Sequence, residues 1–275
     1  MQNLIQWLEK ERAKVPALPL QRLLNHTREY LQVLALKSIY HSKWGNSLSF
    51  MGGTCLRICY DLKRFSEDLD FTLDRKTKNY SFDELLEAIQ RDFERSGFKV
   101  EITTSKEGAV QKSFLKFNEL LQPLGLSSRK GEKLHIKLEV DTHPIPIHDD
   151  QCESFFVTKY NELFPILKHR IETLFSGKIL ALLSRTYAKG RDYYDVVWYL
   201  TQKTSIDMRY LEASSLPHFK KTSDVFDALT RTINKADTSV ILKDIGRFLE
   251  DPTEEKWIKE YPRLFSQLAA SYLKR

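Results

Sequence analysis

Between Leu48 and Leu73 the hydrophobic pattern changes three times, and few folds accommodate those changes in so short a stretch. An apolar run, Leu48-Ser49-Phe50-Met51, is cut by Gly52-Gly53. Thr54 follows where a helix N-cap would stand, and Cys55, Leu56, Cys59 and Tyr60 supply a short apolar helix face. After a charged turn, Asp68-Leu69-Asp70-Phe71-Thr72-Leu73 alternates polar and apolar, the period of a half-buried strand. The pattern predicts a strand, a glycine turn, a short helix and a return strand carrying two aspartates.

Each part has a chemical use. Glycine lets a backbone approach a bulky anion and adopt dihedrals closed to other residues. The first N–H groups of a helix are unpaired and partly positive, so a phosphate can rest there. Asp68 and Asp70 are two apart on a strand and point to one face. Two like charges that close are tolerable with a divalent cation between them, and hard oxygen ligands supplemented by water and phosphate describe a Mg²⁺ site.

The second alternating segment is Leu134-His135-Ile136-Lys137-Leu138-Glu139-Val140-Asp141. Its apolar residues face one way, and His135, Lys137, Glu139 and Asp141 the other. A strand with two carboxylates on one face suits a place beside Asp68 and Asp70. Ser81-Phe82-Asp83-Glu84 has the capping-box pattern and opens a helix that Gly97 ends. Helices are also expected over 3–11 and 20–40, with Pro16 and Pro19 between them. Strands are expected at 98–103, 155–158 and, as an edge piece, 164–168, whereas 110–117 is open to strand or helix. A loop is expected at 127–132. From Ile171 onward only helices are expected, the later ones near 206–214, 223–235, 238–249 and 254–272. That shift predicts two domains, 1–170 and 171–275.

The chain has 275 residues, 41% hydrophobic and 29% charged, with three cysteines and a net charge of +6. This places it among soluble globular proteins without a disulfide framework, in a reducing and hence cytoplasmic setting. No apolar run approaches the roughly 20 residues that span a membrane, and the N-terminus lacks a signal-peptide layout. The positive balance suits an anionic partner such as RNA or a nucleoside triphosphate. Lys189, Arg191, Lys220, Lys221, Arg231 and Lys235 are candidates for phosphate contacts.

A further group lies at Gly177-Lys178-Ile179 through Ser184-Arg185, followed by Arg191-Asp192-Tyr193-Tyr194-Asp195. Lys178 and Arg185 share one helix face, as do Asp192 and Asp195. The aspartates either hold these cations in place or touch a nucleotide or acceptor.

Gly52-Gly53-Thr54 with Arg64-Phe65-Ser66-Glu67-Asp68-Leu69-Asp70-Phe71 closely resembles the first motif of the AbiEii/AbiGii-type nucleotidyltransferases. These are toxins of abortive-infection toxin–antitoxin pairs, on a DNA polymerase β-like fold. The Lys178 helix and the Arg191–Asp195 segment are similar to the family's later motifs. The resemblance spans about residues 45–200. It implies an α+β fold with a mixed sheet flanked by helices and a C-terminal helical domain. It also implies that Asp68 and Asp70 hold Mg²⁺, two ions about 3.5–4 Å apart in such sites. Glu139 would be the third carboxylate, with Asp141 in reserve. Gly52, Gly53, Thr54, Arg64, Ser66, Lys178, Arg185, Asp192 and Asp195 would line the nucleotide. The implied reaction moves NMP from an NTP to an acceptor hydroxyl, first of all the 3′ end of tRNA, and blocks translation. Nucleotidylation of a protein hydroxyl, including that of a cognate antitoxin, and a non-catalytic nucleotide- or RNA-binding module stay open.

Overall fold

The computed structural model describes residues 1–15, 19–75, 79–105, 108–129, 131–214 and 219–274. Residues 16–18, including Pro16, fall outside them. The chain divides into two compact units. The first comprises Met1–Asp61, Phe65–Pro144 and Cys152–Lys168. The second comprises Leu62–Arg64, Ile145–Gln151 and His169–Arg275.

The first unit is an α+β fold on one mixed sheet. Its strands are β1 (Leu48–Met51), β2 (Asp68–Leu73), β3 (Val100–Ser105), β4 (Val110–Phe117), β5 (Leu134–Asp141), β6 (Cys152–Val157) and β7 (Phe164–His169). They lie in the order β3-β4-β5-β2-β1-β7-β6. β2 runs antiparallel to β1 and parallel to β5. The segment 110–117 is a strand, antiparallel to both β3 and β5. The 164–168 segment is not an edge piece: β7 lies inside the sheet, parallel to β1, and β6 takes the edge. An isolated apolar run does not reveal that the preceding strand will cover it.

One face of the sheet is apolar because the strands alternate. In β5, Leu134, Ile136, Leu138 and Val140 are buried while His135, Lys137, Glu139 and Asp141 are not. Helices α1 (Gln2–Lys14), α2 (Leu20–His41), α3 (Gly52–Tyr60) and α4 (Phe82–Arg95) belong to the same unit. Ser81 caps α4 by accepting the Glu84 N–H, and Asp83 and Glu84 in the first turn favour the helix dipole. Phe82, Leu85, Leu86, Ile89 and Phe93 form its buried stripe. Gly97, at φ +81°, takes the left-handed conformation that stops it. Phe93 meets Phe98 and Phe117 at ring distances of 5.9 and 4.9 Å, which fixes α4 to the β3–β4 end of the sheet. Near the middle, Tyr40 of α2 packs on Phe71 of β2.

The second unit is helical: α5 (Ile171–Ser184), α6 (Gly190–Thr201), α7 (Met208–Glu212), α8 (Thr222–Ile233), α9 (Thr238–Ile245), α10 (Glu255–Lys259) and α11 (Tyr261–Leu273). The expected helix 254–272 is two helices. Pro262 in the first turn of α11 lacks the N–H that continuation from α10 would need. Phe175 stacks on Tyr199 at 4.5 Å, and the buried Tyr261 hydroxyl donates to the Tyr193 carbonyl. Gly190 opens α6 where a Cβ would lie 2.2 Å from the Ile241 carbonyl, so α6 and α9 touch backbone to backbone.

Candidate active site

The glycine turn and the two aspartates are brought together by strand register. Met51 of β1 is the antiparallel partner of Asp70 in β2, so the turn that follows Met51 lies against Asp70. A Cβ on Gly52 would sit 2.2 Å from Asp70 Oδ2 and 3.0 Å from its Cγ, and Gly52 has φ +78°. Space and dihedral therefore both demand glycine there. The helix starts at Gly52 with Met51 as N-cap, not at Thr54. Thr54 is the third residue of α3, fully buried, and its hydroxyl donates to the Asp68 carbonyl. That bond ties the first turn of α3 to the start of β2. Gly53 lies between them in the same turn and is partly exposed.

Gly52→Ala is expected to cost about 1–3 kcal/mol through the left-handed backbone alone. It should also push the Asp70 carboxylate away and lower activity more than stability. Urea denaturation beside a turnover assay checks this.

Asp68 and Asp70 are partly exposed on the face of β2 opposite the buried Leu69 and Phe71. In β5, Glu139 is the parallel partner of Asp70, Lys137 of Asp68 and Asp141 of Thr72. Three carboxylates, Asp68, Asp70 and Glu139, thus share one face across two neighbouring strands. Among the described residues their oxygens are not gathered within 4.8 Å of one another. Glu139 instead faces Lys137 Nζ at 2.8 Å and Lys112 Nζ at 3.8 Å. Asp141 accepts the His143 backbone N–H and so closes the turn after β5. Ser66 is partly exposed, and its carbonyl accepts the Gln32 amide at 3.2 Å. Lys137 shares this face in the sequence reading, whereas Lys112 escaped it, because it projects here only if 110–117 is a strand.

The remaining expected residues meet in the second unit. Arg64 is buried, and its guanidinium forks onto Asp195, Nε to Oδ1 at 2.7 Å and Nη2 to Oδ2 at 2.6 Å. Lys178 Nζ lies 2.8 Å from Asp192 Oδ1 and 2.9 Å from Asp195 Oδ2. Arg185 Nε is 2.8 Å from Asp192 Oδ2. The two aspartates, one helical turn apart on α6, therefore hold three cations. Burial works against the charge on Lys178, but Asp192 and Asp195 outweigh it and its pKa is raised. Burial likewise pushes Asp192 up, while Lys178 and Arg185 pull harder and bring it from 3.8 to about 2. Lys189, the N-cap of α6, is lowered by burial and by Arg191, against the pull of Asp192. Arg64, Lys178, Arg185 and Lys189 outnumber Asp192 and Asp195, so the group keeps a positive balance.

A depressed carboxylate stabilises the fold only while ionised. The Asp192 contribution is therefore complete above its unfolded value near 3.8 and is lost as pH falls toward about 2. The stability gap between wild type and Asp192→Asn should be constant from pH 7 to about pH 4 and close below it. Chemical denaturation across that range measures the gap.

The sequence matches the family described as "Nucleotidyl transferase AbiEii toxin, Type IV TA system" over residues 34–272. Two solved structures from Helicobacter pylori have a similar fold. JHP933 has a TM-score of 0.56 and 17% identity, with 91% of this chain and 94% of that one covered. A second, described only as a candidate nucleotidyltransferase, has a TM-score of 0.56 and 17% identity, covering 90% and 95%. No curated protein matches the chain.

Proposed function

The chain belongs to the AbiEii nucleotidyltransferase toxin family of type IV toxin–antitoxin systems, and from that premise we propose that it uses Mg²⁺ to transfer NMP from an NTP to the 3′ end of tRNA. The observation that carries this reading is the Asp70 carboxylate packed against Gly52 at the head of α3, with Asp68 on the same face. Phosphates at the head of α3 would then lie beside the acidic pair. Nucleotidyl transfer needs that juxtaposition, because the triphosphate and the carboxylates must share the same cation.

The residues fit a hard dication. Asp68, Asp70 and Glu139 offer carboxylate oxygens from adjacent strands and no soft ligand. Bound there, Mg²⁺ would neutralise charge on the triphosphate and act as a Lewis acid at the α-phosphate. Glu139 is the better third carboxylate, since its register partner is Asp70 and Asp141 is committed to the His143 turn. Glu139 would take the proton of the acceptor hydroxyl as its oxygen bonds to the α-phosphorus. The bond from the α-phosphorus to the bridging oxygen breaks, and pyrophosphate leaves. Gly52 and Gly53 would offer the α3 N-terminus to the phosphates. Thr54 serves this pocket by anchoring the turn, its hydroxyl being given to Asp68. Ser66 would border the nucleotide. The positive excess around Lys178 and Arg185 in the second unit suits phosphate charge, with Asp192 and Asp195 holding those cations and Arg64 in place. The helical region 171–275 would serve as the domain that carries these later motifs.

An antitoxin is the cognate partner in this reading, and the protein acts in the cytoplasm. No helix among the described residues is long and apolar enough to cross a membrane. Incubation with each α-labelled NTP, Mg²⁺ and total tRNA tests the proposal. Label on tRNA 3′ ends is expected. Label on protein alone favours a protein hydroxyl as acceptor, and no label in any fraction favours a non-catalytic module.

A further inference from the structure

The sheet face that carries the acids continues onto β4 and β3, where it holds an aromatic ring among lysines. Lys112, Phe114 and Lys116 alternate with the buried Ser113, Leu115 and Phe117, so all three project to the acid-bearing face. Phe114 is 41% exposed in the middle of its strand. A lone exposed phenylalanine is ordinary. This one is flanked in the register by Lys137 on β5 and by Thr103 on β3. Lys112 and Lys137 share a single carboxylate, Glu139. Lys116 and Lys133 share another, Glu101, at 3.9 and 3.2 Å. Four lysines to two glutamates leave the strip positive around the ring. His135, the register partner of Lys116, is lowered first by partial burial and then by Arg28 and Lys116, against the pull of Glu67.

The strip leads to the acids. Phe114 pairs with Lys137, and Lys137 with Asp68. Two inter-strand spacings of about 4.8 Å put the Phe114 and Asp68 backbones about 10 Å apart on one face. Sequence-tolerant binding of unpaired strands uses this combination, an aromatic face for a base and cations for the phosphates beside it.

We infer that the open face of β3–β4–β5 is the acceptor platform, on which Phe114 stacks a base of a single-stranded RNA 3′ end while Lys112, Lys116 and Lys137 contact its phosphates. The inference rests on the nucleotidyl-transfer reading for its direction toward Asp68 and Asp70, but the binding it describes is measurable without catalysis. Anisotropy of a fluorescein-labelled oligo(A), read against the same strand paired to its complement, is the test. The single strand is expected to bind more tightly. Phe114→Ala is expected to weaken it by about tenfold, Phe114→Leu by a similar factor, and Phe114→Trp little. With an RNA acceptor, Phe114→Ala should raise KM for the RNA and leave KM for the NTP unchanged. Equal affinity of wild type and Phe114→Ala for oligo(A) overturns the platform, as does a preference for the duplex. Photocrosslinks from position 114 to polypeptide and none to RNA would assign the face to a protein partner and also overturn it. RNA labelled with an unchanged acceptor KM in Phe114→Ala removes the platform and leaves the transfer reading standing. Label on protein alone removes the tRNA reading and the acceptor role of this face with it, even where oligo(A) binding still depends on Phe114.

Discussion

Asp70→Ala is expected to lower nucleotidyl transfer by about 10³-fold or more and to leave the protein folded. The size follows from removing a charge-handling group from phosphoryl-type transfer, where positioning and electrostatics supply nearly all the acceleration. The fold survives because Asp70 is partly exposed and its strand is held by Leu69 and Phe71 on the other face. Relief of like-charge repulsion with Asp68 should even offset part of any loss in stability. Asp68→Ala should behave alike, although Thr54 grips its backbone carbonyl and not its carboxylate. A labelled-nucleotide turnover assay beside a thermal melt measures both effects. A variant of either aspartate that melts normally and still turns over at the wild-type rate contradicts the assignment.

The second large effect is on stability. Asp195 is fully buried and meets two cations, forked onto Arg64 and close to Lys178. Asp195→Ala removes the forked carboxylate from the Arg64 guanidinium where it has almost no contact with water. Breaking a buried pair from one side costs about 3–5 kcal/mol. Lys178 keeps Asp192 and so contributes less to the loss. Removing both partners with apolar residues, as in Arg64→Met with Asp195→Leu, should recover part of it, because no orphaned charge then remains. Urea denaturation of the three variants gives the comparison. A cost under about 1 kcal/mol for Asp195→Ala would match a surface pair and contradict the structural role given to this fork.

Residues that act through local pattern were legible in the sequence. The alternation of 68–73 and 134–141 gave β2 and β5 with the acids on one face, and the glycine break gave the turn before α3. Parity of spacing fixes such faces without knowledge of the rest of the chain. Pairing between distant segments was not legible. Nothing in Arg64-Phe65-Ser66 tells that Arg64 will meet Asp195, 131 residues later. The resemblance to a motif suggested the ligand, and burial chose the partner. The same limit hid Lys112: its place beside Glu139 depends on the antiparallel register of β4 with β5. Thr54 misled for a different reason. Threonine before an apolar helical face reads as an N-cap, but glycine at +78° lets the helix begin three residues earlier and turns the hydroxyl inward.

Calorimetric titration of an NTP into wild type and into the Asp68→Ala/Asp70→Ala protein, each with and without Mg²⁺, bears most directly on the acidic pair beside the glycine turn. Saturable binding by wild type that requires Mg²⁺ and disappears in the double variant is the expected result. Binding of equal affinity in all four titrations, or none by wild type with Mg²⁺ present, would contradict it.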